Sequence, residues 1–313
     1  FMRDIAFAAF LGAGGAADAF LVALKLPNMF RRLSAEGAMT NAFLPNYAVI
    51  REKHGRAAAL RLAAEAQIFL IIGLCLLVII AEIFMAELIL LLAPGCADTP
   101  ERLRAAIDLA RITMPYLPLI SIVALWVAIA NAHDHFKAGA AAPIIANICF
   151  IAGALQIPLI ASQMGMMRAV PVAVALLVAG LAQLGFLYWT LARIDAVPAL
   201  VWPRLSDAGR KMWRNFLPAA AGAGGMQINL LIDLILASLL PVGAISWLYY
   251  ADRVAQLPLG IVGIALGTAL LPRLSAAEAG SRPAEVRDSL AEAVGLAGFL
   301  VIPAVAGLVL CGL

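Results

Sequence analysis

The chain has 313 residues, 64% of them hydrophobic and 13% charged, with a mean hydropathy of +0.97. Soluble domains average about 45–50% apolar and about 25% charged residues, so a water-facing globular surface is excluded, as are disorder, collagen and a disulfide scaffold. The 22 Lys and Arg against 19 Asp and Glu leave a net charge of +3, too balanced for a nucleic-acid partner, and a polytopic membrane protein remains.

A spanning helix needs about 20 apolar residues at ~1.5 Å rise. Phe1–Leu11 reads as the tail of a first helix, and about 16–48 as a long second one carrying Lys25, Arg31 and Arg32. Further apolar runs at 66–93, 112–132, 138–161, 169–192, 215–240, 244–271 and 289–313 complete the series. The predicted fold class is an all-α polytopic bundle of about eight full transmembrane helices plus a truncated first one. The arginine-led start mimics a signal peptide, but similar runs recur along the whole chain. Phe1 is not an initiator and Cys311-Gly312-Leu313 stops inside an apolar run, so a longer parent chain is expected.

Loop charge sets the predicted orientation. Alternate loops hold Arg51, Lys53, Arg56 and Arg61, then Lys137, then Arg193, Arg204, Arg210, Lys211 and Arg214, then Arg273, Arg282 and Arg287. The opposite loops hold only Arg102, Arg104, Arg111 and Arg168. The richer set is therefore cytoplasmic, and the turn at Gly12–Ala17 faces outward. Trp189, Trp202 and Trp213 flank the 193–214 loop as interfacial anchors. Leu26-Pro27 with Ala42–Pro45, and Leu257-Pro258 with Ala269–Pro272, hint at parallel internal repeats in two outward-to-inward helices.

Charges inside a bilayer are expensive, so those that occur face the protein interior or a watery cavity. On a helical wheel Asp18, Lys25, Arg32 and Glu36 fall within about 40° of one another, with Asn28 a further ~40° away. Two readings fit this stripe. It is either a set of neutralising pairs with snorkelling ends, or the wall of a hydrated cavity left net basic by Arg31, Arg32 and Arg253. Pro27 kinks the helix, so the wheel alone does not choose between Arg31 and Arg32.

Arginine suits a phosphate-bearing ligand because its planar fork binds oxyanions at two points and stays charged. Arg3, Arg31 and Arg253 lie on three helices: converging, they make an anion site for a pyrophosphate; separate, they meet lipid headgroups. Asp4 and Asp252 sit beside two of them. Asn229 and Asp233, one turn apart, are either part of a sodium site or a hydrogen-bonded pair joining helices.

Other signals carry little. Gly12-Ala-Gly14-Gly-Ala-Ala17 matches a dinucleotide fingerprint but lacks the surrounding βαβ unit. The four cysteines form no CxxC pair, His54, His133 and His135 all fall in loops, and no nucleophile elbow or zinc motif is present. Catalysis is not expected.

These residues together resemble the MurJ (MviN) lipid II flippase family of the multidrug/oligosaccharidyl-lipid/polysaccharide exporter superfamily. The resemblance is carried by Arg3-Asp4, Gly12-Ala-Gly14, Asp18-Ala-Phe20, Lys25-Leu-Pro27-Asn28-x-x-Arg31-Arg32, Ala35-Glu36-Gly37-Ala38 and Ala42-Phe43-Leu44-Pro45. Ala93-Pro94-Gly95, Ala97-Asp98-Thr99, Trp247-x-Tyr249-Tyr250-Ala251-Asp252-Arg253 and Gly267-Thr268-x-x-Leu271-Pro272 continue it in order.

It implies a two-lobed transporter of about fourteen helices. Here 1–193 would be the N-terminal lobe, 194–214 a basic cytoplasmic linker and 215–313 the start of the C-terminal lobe. It also implies alternating-access export of undecaprenyl-pyrophosphate-linked peptidoglycan precursor across the bacterial cytoplasmic (inner) membrane, with lipid II, membrane lipids and the cell-wall synthesis machinery as partners. Arg3, Arg31 and Arg253 would hold the pyrophosphate, and Asp4 and Asp18 would be acidic cavity positions. Asp233 would match a sodium ligand of some members, with Na+ as coupling ion and no other cofactor. The rivals are a multidrug/cation antiporter of the same superfamily and a membrane lipid-phosphate enzyme.

Overall fold

In the computed structural model the described residues are 2–34, 38–258, 260 and 283–311. They are mostly helical, with no strand among them. By contacts the chain divides into two compact units, Phe1–Trp247 and Leu248–Leu313.

The first unit opens with α1 (Met2–Ala6), which widens into a π turn (Phe7–Leu11) and ends at Gly12. Next comes α2 (Gly15–Ser34), the innermost helix of the unit. Ala16, Ala17, Ala19, Phe20, Val22, Ala23 and Leu26 are all buried, covering nearly its whole circumference. Small side chains on α2 admit close neighbours, and the main one is α5 (Pro100–Thr113), which brings Ala105, Ala106 and Ala110 to the contact.

The next element, α3 (Ala38–Ile83), covers 46 residues and is broken at Gly55, whose φ of 80° is not helical. At ~1.5 Å per residue it far exceeds a bilayer, so the break separates a shorter inner piece from a spanning one. Of the expected second helix of 16–48, residues 16–34 and 38–48 are helical and 35–37 lie outside the described residues; the piece that holds 38–48 runs on to the break at Gly55. Glu36 lies outside the described residues.

Helix α4 (Met85–Leu92) follows a break at Phe84, and a 3₁₀ turn (Pro94–Asp98) leads into α5. The bundle continues with α6 (Tyr116–Ala132), α7 (Phe136–Leu155), α8 (Ile157–Met164), a second 3₁₀ turn (Gly165–Ala169) and α9 (Val170–Arg193). Then α10 (Asp207–Ser238) packs on α3, and the turn 239–243 leads to α11 (Ala244–Pro258). The last helix, α12 (Pro283–Cys311), lies wholly in the second unit. Where described, every apolar run read from the sequence is helix. The second half of the internal echo, Ala269–Pro272, falls outside the described residues.

Among the described residues, four stretches are long and apolar enough to cross a membrane: Ala42–Ile83, Pro100–Ala132, Phe136–Leu159 and Gly165–Arg193. Their outward stripes are bare hydrocarbon: Ile72, Leu76, Ile79 and Ile83 on α3, Ile144, Ile148 and Leu155 on α7, Val174, Val178 and Leu181 on α9. Exposed apolar surface on this scale is stable only against lipid. Inside, polar side chains link helices sparingly. Thr113 donates to the Ala23 carbonyl at 3.2 Å, Trp126 Nε1 to Gln67 Oε1 at 2.6 Å, and Gln183 Nε2 to the Ala142 carbonyl at 2.8 Å.

Candidate functional site

Arg3 projects from α1 with its side chain 27% exposed. Its Nε and Nη2 donate to Asp4 Oδ1 at 3.2 and 2.9 Å, while the guanidinium carbon lies 5.9 Å from the Phe7 ring centre and 5.5 Å from that of Phe150. Phe7 in turn meets Phe20 and Phe150 edge-on, each at 5.8 Å. An aromatic bed and one carboxylate oxygen orient the guanidinium without enclosing it. Lys25, Asn28 and Arg31 are half-buried along α2; the side chain of Arg32 lies outside the described set.

Asp18 goes elsewhere. The wheel places it on the stripe with Lys25, but its side chain is fully buried. Oδ2 accepts from the Gly243 N–H at 2.7 Å and Oδ1 from the Ser246 N–H at 2.8 Å. One is the amide just before α11 and the other an open amide of its first turn, so Asp18 caps that helix from another part of the fold. Gly243, at φ 104°, is the residue before that turn, and Ser246 Oγ returns a bond to its carbonyl at 2.9 Å.

Behind Asp18 stands Arg102, 2% exposed, with Nη2 3.4 Å from Asp18 Oδ2. The sequence counts Arg102 among outward loop residues, whereas in the fold it is one of the most buried side chains. Burial pushes the neighbouring Cys96 thiol above its ordinary range, with Arg102 pulling it back and Asp18 adding to the rise.

Beside this pair the 3₁₀ turn meets the end of α10. The Gly95 N–H donates to Ser238 Oγ at 3.2 Å, and Ser238 Oγ donates to the Ile235 carbonyl at 2.7 Å. A Cβ at Gly95 would overlap the Ser238 carbonyl, so only glycine allows this approach. The 238–246 turn is therefore held at both edges, by Gly95 on one side and Asp18 on the other.

A second carboxylate acts at the far end of α10, on the serine that caps it. Glu65 Oε2 accepts from the Ser206 N–H at 3.1 Å and its hydroxyl at 2.6 Å, while Ser206 Oγ accepts from the Gly209 N–H at 3.1 Å. Here the contact is open to solvent.

In the second unit Arg253 donates from Nη1 to Gln256 Oε1 at 2.9 Å, and its guanidinium carbon lies 4.9 Å from the Tyr249 ring centre. Gln256 donates in turn to Asp252. Asn229 and Asp233 are both exposed on α10, and no group of three His, Cys, Asp or Glu fit to hold a metal occurs among the described residues.

The family profile described as lipid II flippase MurJ matches residues 7–313. The chain belongs to this family. It is 38% identical over 309 residues to a probable lipid II flippase MurJ of Rhizobium meliloti (strain 1021), covering 98% of this chain and 57% of that one. It is 32% identical over 311 residues to the probable flippase of Rickettsia prowazekii (strain Madrid E), covering 99% and 60%. The chain therefore spans under two thirds of the length of these MurJ relatives.

Among solved structures it is similar to a lipid II flippase MurJ in an inward closed conformation, with a TM-score of 0.77 and 25% identity over 98% of this chain and 62% of that one. A multidrug-resistance MATE transporter shares the fold, with a TM-score of 0.72 at 16% identity over 97% and 68%.

Sequence reasoning missed Arg102, Gly95, Glu65 and the amides at 243–246. One signal was present: an aspartate three residues into an apolar helix demands donors, and a Gly-x-x-Ser after a short outward turn offers the amides of a helix start.

Proposed function

We propose that this chain is part of a lipid II flippase, carrying undecaprenyl-pyrophosphate-linked peptidoglycan precursor from the inner to the outer leaflet of the bacterial cytoplasmic membrane by alternating access. The carrying observation is Arg3: a guanidinium within an apolar bundle, oriented by Asp4 and two phenyl rings yet left partly open for an anion. Arg31 and Arg253 supply further positive charge for the pyrophosphate, and the lipid tail stays in the bilayer. No bond is made or broken, so no nucleophile or base is needed. The contact of Asp18 with the first turn of α11 is the outer latch that must release when the headgroup exits.

Na+ coupling through Asp233 and Asn229 belongs to the same proposal, as does delivery to cell-wall synthesis on the outer face. Membrane potential can contribute about 2.3 kcal/mol per charge per 100 mV.

The test is replacement of Arg3 or Arg31 by Ala in the full-length protein, in cells depleted of their own flippase. Loss of growth and accumulation of inner-leaflet precursor at normal protein level is expected; unimpaired growth overturns the proposal. Drug efflux that survives these substitutions would favour the multidrug antiporter, whose fold is shared.

A further inference from the structure

Arg102 has only 2% of its surface exposed in the first turn of α5, and its Nε and Nη2 make no hydrogen bond among the described residues. A buried ion pair is poor support for a fold, because desolvation offsets the attraction and apolar replacement is often neutral or stabilising. Packing alone therefore gives no reason for arginine here. What the guanidinium does have is one neighbour of opposite charge, the Asp18 carboxylate, whose two oxygens are spent on the amides of Gly243 and Ser246.

We propose that Arg102 is a positioning residue for the outer latch: its guanidinium keeps the Asp18 carboxylate turned towards the first turn of α11, while Gly95 seats the other edge of the 238–246 turn. This rests on reading the Asp18 contact as the latch. With Arg102 in place the Asp18 carboxylate is held in the orientation that meets both amides, and its buried charge is compensated while the turn is docked. Without it, the carboxylate has only the amide ends of α11 as compensation, and in a dry site these do not hold a full charge in one orientation. The same cradle explains a glycine at 95: a flat surface receives the Ser238 carbonyl directly.

The experiment uses the full-length protein with its four cysteines replaced and a reporter placed by Ile245→Cys, a position 6% exposed in the first turn of α11. A charged, membrane-impermeant thiol reagent is added to intact spheroplasts, and the labelling rate reports release of the turn. Arg102→Met should raise the rate about tenfold, as for loss of a charge-assisted contact, and Arg102→Lys should bring it back to within about threefold of the parent. Asp18→Asn should raise it to a similar level, and the double substitution no further, because both act on one contact. The double variant should melt at the same temperature as the parent or higher, separating the latch from general stability.

If Asp18→Asn raises labelling and Arg102→Met does not, Arg102 has no positioning role and the latch stands. Additive effects in the double variant also overturn the proposal. If Asp18→Asn leaves the rate unchanged, the latch itself falls, and this proposal with it. Should Arg102→Met alone not accumulate, Arg102→Gln, which keeps a polar side chain and loses the charge, gives the same decision.

Discussion

Two carboxylates hold two helix starts. Glu65 holds Ser206, the cap of α10, at a solvent-open contact, and Asp18 caps α11 in a site with no exposure. The bonding patterns are alike: each carboxylate accepts from two donors at the helix N-terminus, at distances between 2.6 and 3.1 Å. Their surroundings are opposite. Water competes for Glu65 at every moment, so its bonds exchange one good partner for another. Asp18 has no such alternative, and it has acquired a buried arginine as well. Bonds of similar length thus give a weak fastening at the start of α10 and a charge-compensated one at the start of α11.

The sharpest way to break this contrast is Asp18→Ala. It leaves Arg102 as an uncompensated buried cation, and destabilisation by about 3–5 kcal/mol is expected, read as thermal unfolding in detergent. Adding Arg102→Met should recover most of it; no recovery would mean that the pair is not the source.

Gly95→Ala comes next. The new methyl meets the Ser238 carbonyl and forces the backbone apart, at about 1–3 kcal/mol of overpacking. Glu65→Ala should cost under about 1 kcal/mol, since water replaces the carboxylate at once. A loss as large as that of Asp18→Ala would remove the distinction between the wet and the dry cap.

The smallest effect is a pH dependence near the expected cytoplasmic face. The His133 ring lies 3.0 Å from the Tyr47 hydroxyl, and its pKa is held below the ordinary 6.5, first by burial and then by Arg51, Arg56 and His135, with Asp134 opposing. The folded state therefore takes up a proton less readily than the unfolded chain. Its contribution is present in full above pH 6.5 and declines as pH falls towards the depressed folded value. His133→Gln should flatten that part of the melting-temperature profile, and an unchanged slope would assign it to another group.

Most of the helices were legible because twenty apolar residues in a row have one stable fate in lipid, and Ile72–Ile83 or Val174–Leu181 need no partner to declare themselves. Polar residues are different, since their role depends on which helix arrives beside them. Asp18 shares a wheel face with Lys25 and Arg32, yet its partners come from residues 102, 243 and 246. Arg102 hides within Pro100-Glu101-Arg102-Leu103-Arg104, which reads as a solvated loop, and only the packing of α5 on α2 turns it inward. Arg3 and Arg31 stand out as candidates because a guanidinium in an apolar run is conspicuous before any fold is known.

Gly95 has a kinetic corollary. Where it meets Ser238, main chain touches main chain, and the side chain at the joint is the small Ser238 hydroxyl. A joint of that kind can part and rejoin with little more than one hydroxyl to reset. The tempo of such a joint is set by the elements that carry it, and one added methyl group would convert a sliding surface into a wedge.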